Sequence, residues 1–255
     1  ALDGDADVLA VGVYYDQGFN ELNTKIKKSG SVFMLTFDDT DFSGGEVVSR
    51  IGAGYRYNTT RCRGRKCGTF ENDFNTQTVP DLILAEEDHF GRSVSLNHDG
   101  SLLAVGKEKD DGKNNTTKDA GAVQLFKFTN DEGSIVSAAT GKATYVGTIG
   151  NDYDYLDTSD SSEHSVTLEN GDKFGTSVAF DKDADRLAVT FNDKSSPNSN
   201  AKPGAVNLYT LTADLASATL VGTIGDGYDT KDKDVDLSSS PVSYTHLTLP
   251  TICSV

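Results

Sequence analysis

Two rows of alternating carboxylates are the residues of this 255-residue chain whose types and spacing most directly offer chemistry. Asp3, Asp5 and Asp7 form one row, and Asp181, Asp183 and Asp185 form the other. Carboxylate oxygens at such spacing are the hard ligands that calcium takes. The same residues also suit a tight hairpin, because Asp side chains bond their own backbone in turns. Alternate residues share a face only where a strand is extended, so within a turn the row need not converge. Calcium ligation and a plain Asp-rich turn both remain open.

A second cluster is the Cys62 and Cys67 pair inside a basic run of Arg61, Arg63, Arg65 and Lys66. A disulfide closing a small loop is the expectation for a secreted chain, and two reduced surface thiols are the alternative. Zinc would need a further Cys or His pair beside them. The basic run could meet an acidic partner or simply be solvated.

Catalytic constellations are hard to find, and no catalytic residue is expected. There is no Gly-x-Ser-x-Gly and no phosphate-binding glycine loop. Before residue 241 the histidines are His89, His98 and His164. Across the internal repeat described below, His89 aligns with Lys173 and His98 with Lys182, which predicts exposed, interchangeable positions. Net charge is −16 with a pI near 4.5, which opposes nucleic-acid phosphates and anionic lipid surfaces. Sequons at Asn58, Asn114 and Asn115 are candidate glycosylation sites. In a chain this rich in Ser and Thr, chance accounts for as many.

The elements that must position these residues recur. Residues 90–106 read Phe-Gly-Arg-Ser-Val-Ser-Leu-Asn-His-Asp-Gly-Ser-Leu-Leu-Ala-Val-Gly, and residues 174–190 repeat the pattern, 84 positions on from 90 to 174. Residues 2–12 match residues 96–106 but lack the preceding Phe-Gly strand. Gly-punctuated apolar runs follow at 29–35, 120–126 and 203–209, and a fourth segment at 143–150 returns at 218–225, with 47–52 as a weaker copy. A fixed period marks a repeated architecture, here of four strands per unit. The Asp-Gly at 99–100 sits between two apolar runs and predicts an antiparallel hairpin. Val32 and Met34 on one face, with Phe33, Leu35 and Phe37 on the other, predict a sheet covered on both sides. Small four-stranded sheets stacked face to face are propeller blades.

Phe-Gly-x-Ser-Val, an Asp-Gly hairpin, Leu-Ala-Val-Gly, an acidic Gly-rich loop and Gly-Ala-Val-x-Leu-Phe together resemble the FG-GAP repeat. That repeat is the blade unit of the integrin alpha-subunit propeller and related extracellular proteins. The resemblance runs from about residue 2 to about residue 230, with Val-Thr at 189–190 where Val-Gly is usual. It implies an all-β fold, a partial β-propeller of about 2.5–3 four-stranded antiparallel blades. It also implies an extracellular or cell-surface binding module that recognises a protein or glycan ligand through blade loops, without nucleic acid and without direct membrane insertion. Integrin-type repeats carry a calcium loop, yet the closing carboxylate would fall on Val8, Leu102 and Arg186. Two other readings are an accessory or catalytic propeller domain of a larger extracellular hydrolase, and an architectural repeat of a wall or matrix protein.

The expected organisation is a first blade over 1–88, truncated before its first strand and carrying the Cys-containing insertion. A second blade covers 89–172, and a third covers 173–240 and is truncated at its end. Residues 241–255 resemble a translated sequencing adapter and are read as a non-native tail. Propellers close with about four to eight blades, so a piece with three is expected to leave blade faces and edges open.

Overall fold

The computed structural model describes residues 1–20, 22, 24–54, 72–153, 166–197, 202–229 and 234–237. It is an all-β protein whose helix, among the described residues, is confined to the 3-10 turns Thr76–Thr78 and Pro80–Leu82. The first sheet holds β1 (Val8–Gly12), β4 (Ser31–Thr36), β5 (Glu46–Gly52) and β6 (Phe74–Asn75) in that order. A separate ribbon of β2 (Gly18–Phe19) and β3 (Lys25–Ile26) structures the segment after β1, which the sequence pattern presents as a polar loop. The second sheet is a four-stranded antiparallel meander of β7 (Phe90–Leu96), β8 (Leu102–Lys107), β9 (Ala122–Thr129) and β10 (Lys142–Gly150). The third runs β11 (Phe174–Phe180), β12 (Arg186–Phe191), β13 (Ala205–Leu211), β14 (Ala218–Gly225) and β15 (Val235–Asp236).

These are partial propeller blades. Beside β1 the chain pairs through an isolated bridge between Leu2 and Leu9. One feature departs from a purely antiparallel four-stranded blade: β6 pairs parallel to β5, and β15 parallel to β14. A buried carboxylate supports the first of these additions. Asp73, 2% exposed, pairs with Arg50 and accepts the Arg50 backbone N–H at 2.9 Å. Asp234 accepts the equivalent Thr223 N–H at 2.7 Å. The connection out of a blade therefore returns along the edge strand, so that its polar backbone is satisfied by the sheet.

Blades dock through the motif that defines the repeat. The Phe90 N–H donates to Ser29 O at 3.0 Å, and the Phe174 N–H donates to Ala120 O at 2.8 Å. Gly91 and Gly175 then take φ of +83° and +84°, a conformation that costs glycine nothing. Their carbonyls reach so close to the preceding blade that a Cβ on Gly12 or on Gly106 would lie 2.0 Å from the facing oxygen. The alternating apolar residues fill the space between sheets. Val8, Ala10, Val32, Met34, Leu103, Val105, Phe126 and Phe128 make one core, between the first two blades. Leu102, Ala104, Val123, Leu125, Val178, Leu187, Val189 and Tyr209 make the other, between the second and third. Both faces of the second blade are thus buried, whereas the first blade departs from the two-sided expectation: Val32 and Met34 are buried, but Phe33, Leu35 and Phe37 on the other face are only half-buried.

Candidate functional site

The rows of carboxylates lie in equivalent hairpin turns. Asp3 Oδ1 accepts the Asp7 and Val8 N–H groups at 3.2 and 3.1 Å, and Asp181 Oδ1 accepts the Arg186 N–H at 3.1 Å. Asn97 holds the same place in the second blade and accepts the Leu102 N–H at 2.9 Å. A neutral amide therefore performs the same turn-closing task as the two carboxylates. Asp5, Asp7, Asp183 and Asp185 are exposed, and Arg186 reaches Asp185 at 3.7 Å and Asp181 at 3.8 Å. Burial, with a lesser contribution from Asp7, pushes the Asp3 carboxyl up to about 6. Burial and the bond to Asp185 likewise raise Asp181. Among the described residues, no three His, Cys, Asp or Glu side chains stand together as a metal-holding group.

Asn114 and Asn115 are exposed on the turn between β8 and β9. Cys62, Cys67, Asn58, Arg61, Arg63, Arg65 and Lys66 lie outside the described residues.

Another set of side chains is drawn together from all three blades. Tyr14 and Tyr15 follow β1, His89 and Arg92 flank the start of β7, Glu108 follows β8, and Thr176 is on β11. Glu108 is the hub. Its Oε1 lies 3.2 Å from His89 Nδ1, and its Oε2 lies 3.1 Å from Arg92 Nε and 3.4 Å from Thr176 Oγ1. A carboxylate only accepts, so His89 donates from Nδ1, and its Nε2 is buried without a partner. Both tyrosine rings stand edge-on to the His89 ring, at 5.6 and 5.2 Å between centroids. The Arg92 guanidinium lies 5.1 Å from the centre of the Tyr14 ring, and Lys28 Nζ lies 5.7 Å from that of Tyr15. These are distances at which a cation is attracted to an aromatic face.

His89 corrects an expectation. It is 5% exposed, not a surface residue interchangeable with Lys173. Both positions have positive φ, 60° and 55°. From that shared turn the short imidazole folds beneath the tyrosines, whereas the longer Lys173 side chain reaches Asp193 at the surface. Self-alignment sees the shared position but not the two directions.

The chain neighbours of His89 and Glu108 belong to a buried ion cluster. Lys107, 1% exposed, sits 2.8 Å from Asp110 and 3.3 Å from Asp88. Burial works against the Lys107 charge, but Asp110 and Asp88 outweigh it and hold the ammonium pKa well above its usual range. Burial pushes Asp88 up to about 6 against the pull of Lys107. The third blade rebuilds this device with different sequence. Asp172, equivalent to Asp88, is fully buried and pairs with Lys194 at 2.9 Å, and Lys194 stands where the second blade has Asp110. Asp88 and Asp172 also accept the Ala85 and Glu169 N–H groups at 2.7 and 2.8 Å. Each carboxylate thus pins the segment entering its blade, and the lysine neutralises it.

The arrangement offers a rigid, partly apolar platform. Tyr15 is 57% exposed, and the Arg92 side chain 37%. The sequence reading missed this group. Its available signal was the Tyr14-Tyr15 pair directly after Leu-Ala-Val-Gly-Val, where the other repeats carry Glu108-Lys109 and Asn192-Asp193.

Residues 84–126 match the family model described as FG-GAP repeat. No match was found among the curated proteins. Among solved structures, the chain is similar to a functionally unknown protein from Desulfotomaculum acetoxidans DSM 771, at 12% identity and a TM-score of 0.27, over 89% of this chain and 69% of that one. The matched segment includes the Phe-Gly strand, the Asp-Gly hairpin and the Gly-Ala-Val strand of the second blade, so that blade carries an FG-GAP repeat.

Proposed function

We propose that this chain is a non-catalytic interaction module of a secreted or cell-surface protein, and that it binds a protein ligand at the loop end where its three blades meet. The observation that carries this reading is the convergence of Tyr14, Tyr15 and Arg92, from two blades, on the Glu108 hub. Tyrosine and arginine anchored in fixed rotamers are the residues that dominate protein recognition, since they offer large contact area at small entropic cost. The His89 ring contacts and the Glu108 bond to Arg92 supply that fixation. The hub uses the His89 and Glu108 polar atoms to orient neighbours, which supports a binding role over a chemical one.

The test is to screen the purified protein against a panel of extracellular ectodomains by biolayer interferometry, with wild type beside Tyr15→Ala and Arg92→Ala. The expected outcome is a specific ectodomain partner whose dissociation constant rises by about tenfold or more in each variant while the melting temperature stays put. Binding that ignores both substitutions would overturn the reading. Antibody staining of intact cells checks the surface location.

A further inference from the structure

A groove of about 390 Å³ lies between the edge of the first blade and the β9–β10 hairpin of the second, in the size class of small-ligand sites. It is separate from the Glu108 hub and shares no residue with it. Its walls are Phe74 and Asn75 of β6, Thr78, and from the second blade Thr129, Asn130, Asp131, Lys142 and Thr144.

The hydrogen-bonding capacity left over in this groove is specific. Asn75 is 3% exposed; its Oδ1 is taken by the Gly54 and Gln77 N–H groups, and its Nδ2 has no partner. Asn130 Oδ1 is likewise occupied, by the Glu132 and Ser134 N–H groups, and its Nδ2 spends one hydrogen on Glu132. Thr78 donates its hydroxyl to Asn75 O at 2.8 Å and keeps its lone pairs. Thr129 and Thr144 share one hydrogen bond at 3.0 Å and retain acceptor capacity. Lys142 and Asp131 pair at 2.8 Å, so the two charges in the wall cancel. Phe74, half-buried, supplies an aromatic surface.

We propose that this groove binds a neutral saccharide. The remaining Asn130 amide hydrogen and the threonine hydroxyl acceptors match groups that both donate and accept, which is the property of sugar hydroxyls. The Phe74 ring suits the apolar C–H face of a pyranose. An apolar ligand would strand the Asn130 amide and the threonine hydroxyls without partners, at a cost that disfavours it. An anionic sugar would enter a protein of net charge −16 beside Asp131.

The experiment is saturation-transfer NMR and calorimetry on the full chain with cellohexaose, laminarihexaose, mannohexaose and maltohexaose, and with hexagalacturonate as the anionic probe. Asn130→Ala removes a surface donor, and Thr144→Trp fills the groove; Tyr15→Ala at the hub is the control. The expected result is saturable binding of a neutral hexasaccharide, weakened about tenfold by Asn130→Ala, abolished by Thr144→Trp and unchanged by Tyr15→Ala. No binding of any neutral probe, preference for hexagalacturonate, or binding indifferent to both groove variants would overturn the assignment. Because the hub variant is the control, failure here leaves the protein-binding surface untouched.

Discussion

Asp3, Asn97 and Asp181 perform one task with two chemistries, and the difference has a consequence in pH. Asp3 Oδ1 and Asn97 Oδ1 both accept the N–H five residues on, but only the aspartate can ionise. Its carboxyl, raised to about 6 chiefly by burial, is protonated in the folded chain at a pH where the unfolded chain, with an ordinary value of about 4, has lost the proton. The folded state therefore binds more protons, and this group's contribution to stability falls as pH rises from about 4 to about 6, then levels off. Asp3→Asn keeps the acceptor and removes the titration. Thermal melts should show the variant more stable than wild type at pH 7 and equal to it near pH 3.5. A variant less stable at pH 7 would mean that the carboxylate does something the amide cannot, with calcium ligation the first alternative to titrate.

Gln124 is a second residue out of step with its repeat. It is fully buried between Val105 and Thr148, and neither amide atom has a partner. In the third blade the equivalent Asn207 is satisfied by Tyr209 and Thr223 at 3.0 and 2.9 Å. An orphaned buried amide costs about 1–3 kcal/mol, so Gln124→Leu should raise stability by an amount in that range. Urea denaturation with an unchanged m-value is the readout.

Among the elements, the Phe-Gly strand is the connector. It enters beside the third strand of the previous blade, and its glycine carbonyl nearly touches the glycine that ends that blade's second strand. Gly106→Ala would place a Cβ 2.0 Å from Gly175 O, a backbone atom that cannot swing aside. The expected loss is at the upper end of the ~1–3 kcal/mol typical of overpacking. Thr190, at the same position in the third blade, is 5% exposed and its Oγ1 accepts the Ser177 N–H at 2.8 Å. Thr190→Gly should therefore cost less than Gly106→Ala in parallel denaturation curves. Equal losses would mean that the close approach of the two glycines carries no special weight.

At the scale of the molecule, stability is distributed unevenly because the second blade is shared by both cores. Leu103, Val105 and Phe126 pack toward the first blade, and Leu102, Ala104 and Val123 toward the third. Repeat arrays are stabilised by nearest-neighbour interfaces, so the blade with two interfaces opens last. Native-state hydrogen exchange should find the slowest amides in β8 and β9, with β4 and β13 exchanging faster. Uniform protection across the three sheets would indicate a single cooperative unit instead.

Much of this was legible in the residues themselves. The four-strand unit, the hairpins at Asp-Gly and the double-sided apolar strands follow from period, turn chemistry and alternation, all of which act within a few residues of chain. The FG-GAP repeat was legible for the same reason, since its glycines and its Phe are local requirements repeated in register. What only the tertiary structure decided is which distant residues meet. His89 and Lys173 share a backbone conformation, yet one is buried and the other reaches the surface, because Tyr14 and Tyr15 from the neighbouring blade cover only the first. Lys107 and Lys194 neutralise equivalent buried aspartates from non-equivalent positions, a substitution hidden from alignment because charge satisfaction depends on distance and not on register. The Glu108 hub and the groove at Asn75 both form across blade boundaries. Their geometry is set by how one sheet sits on the next, which no pattern within a single blade encodes.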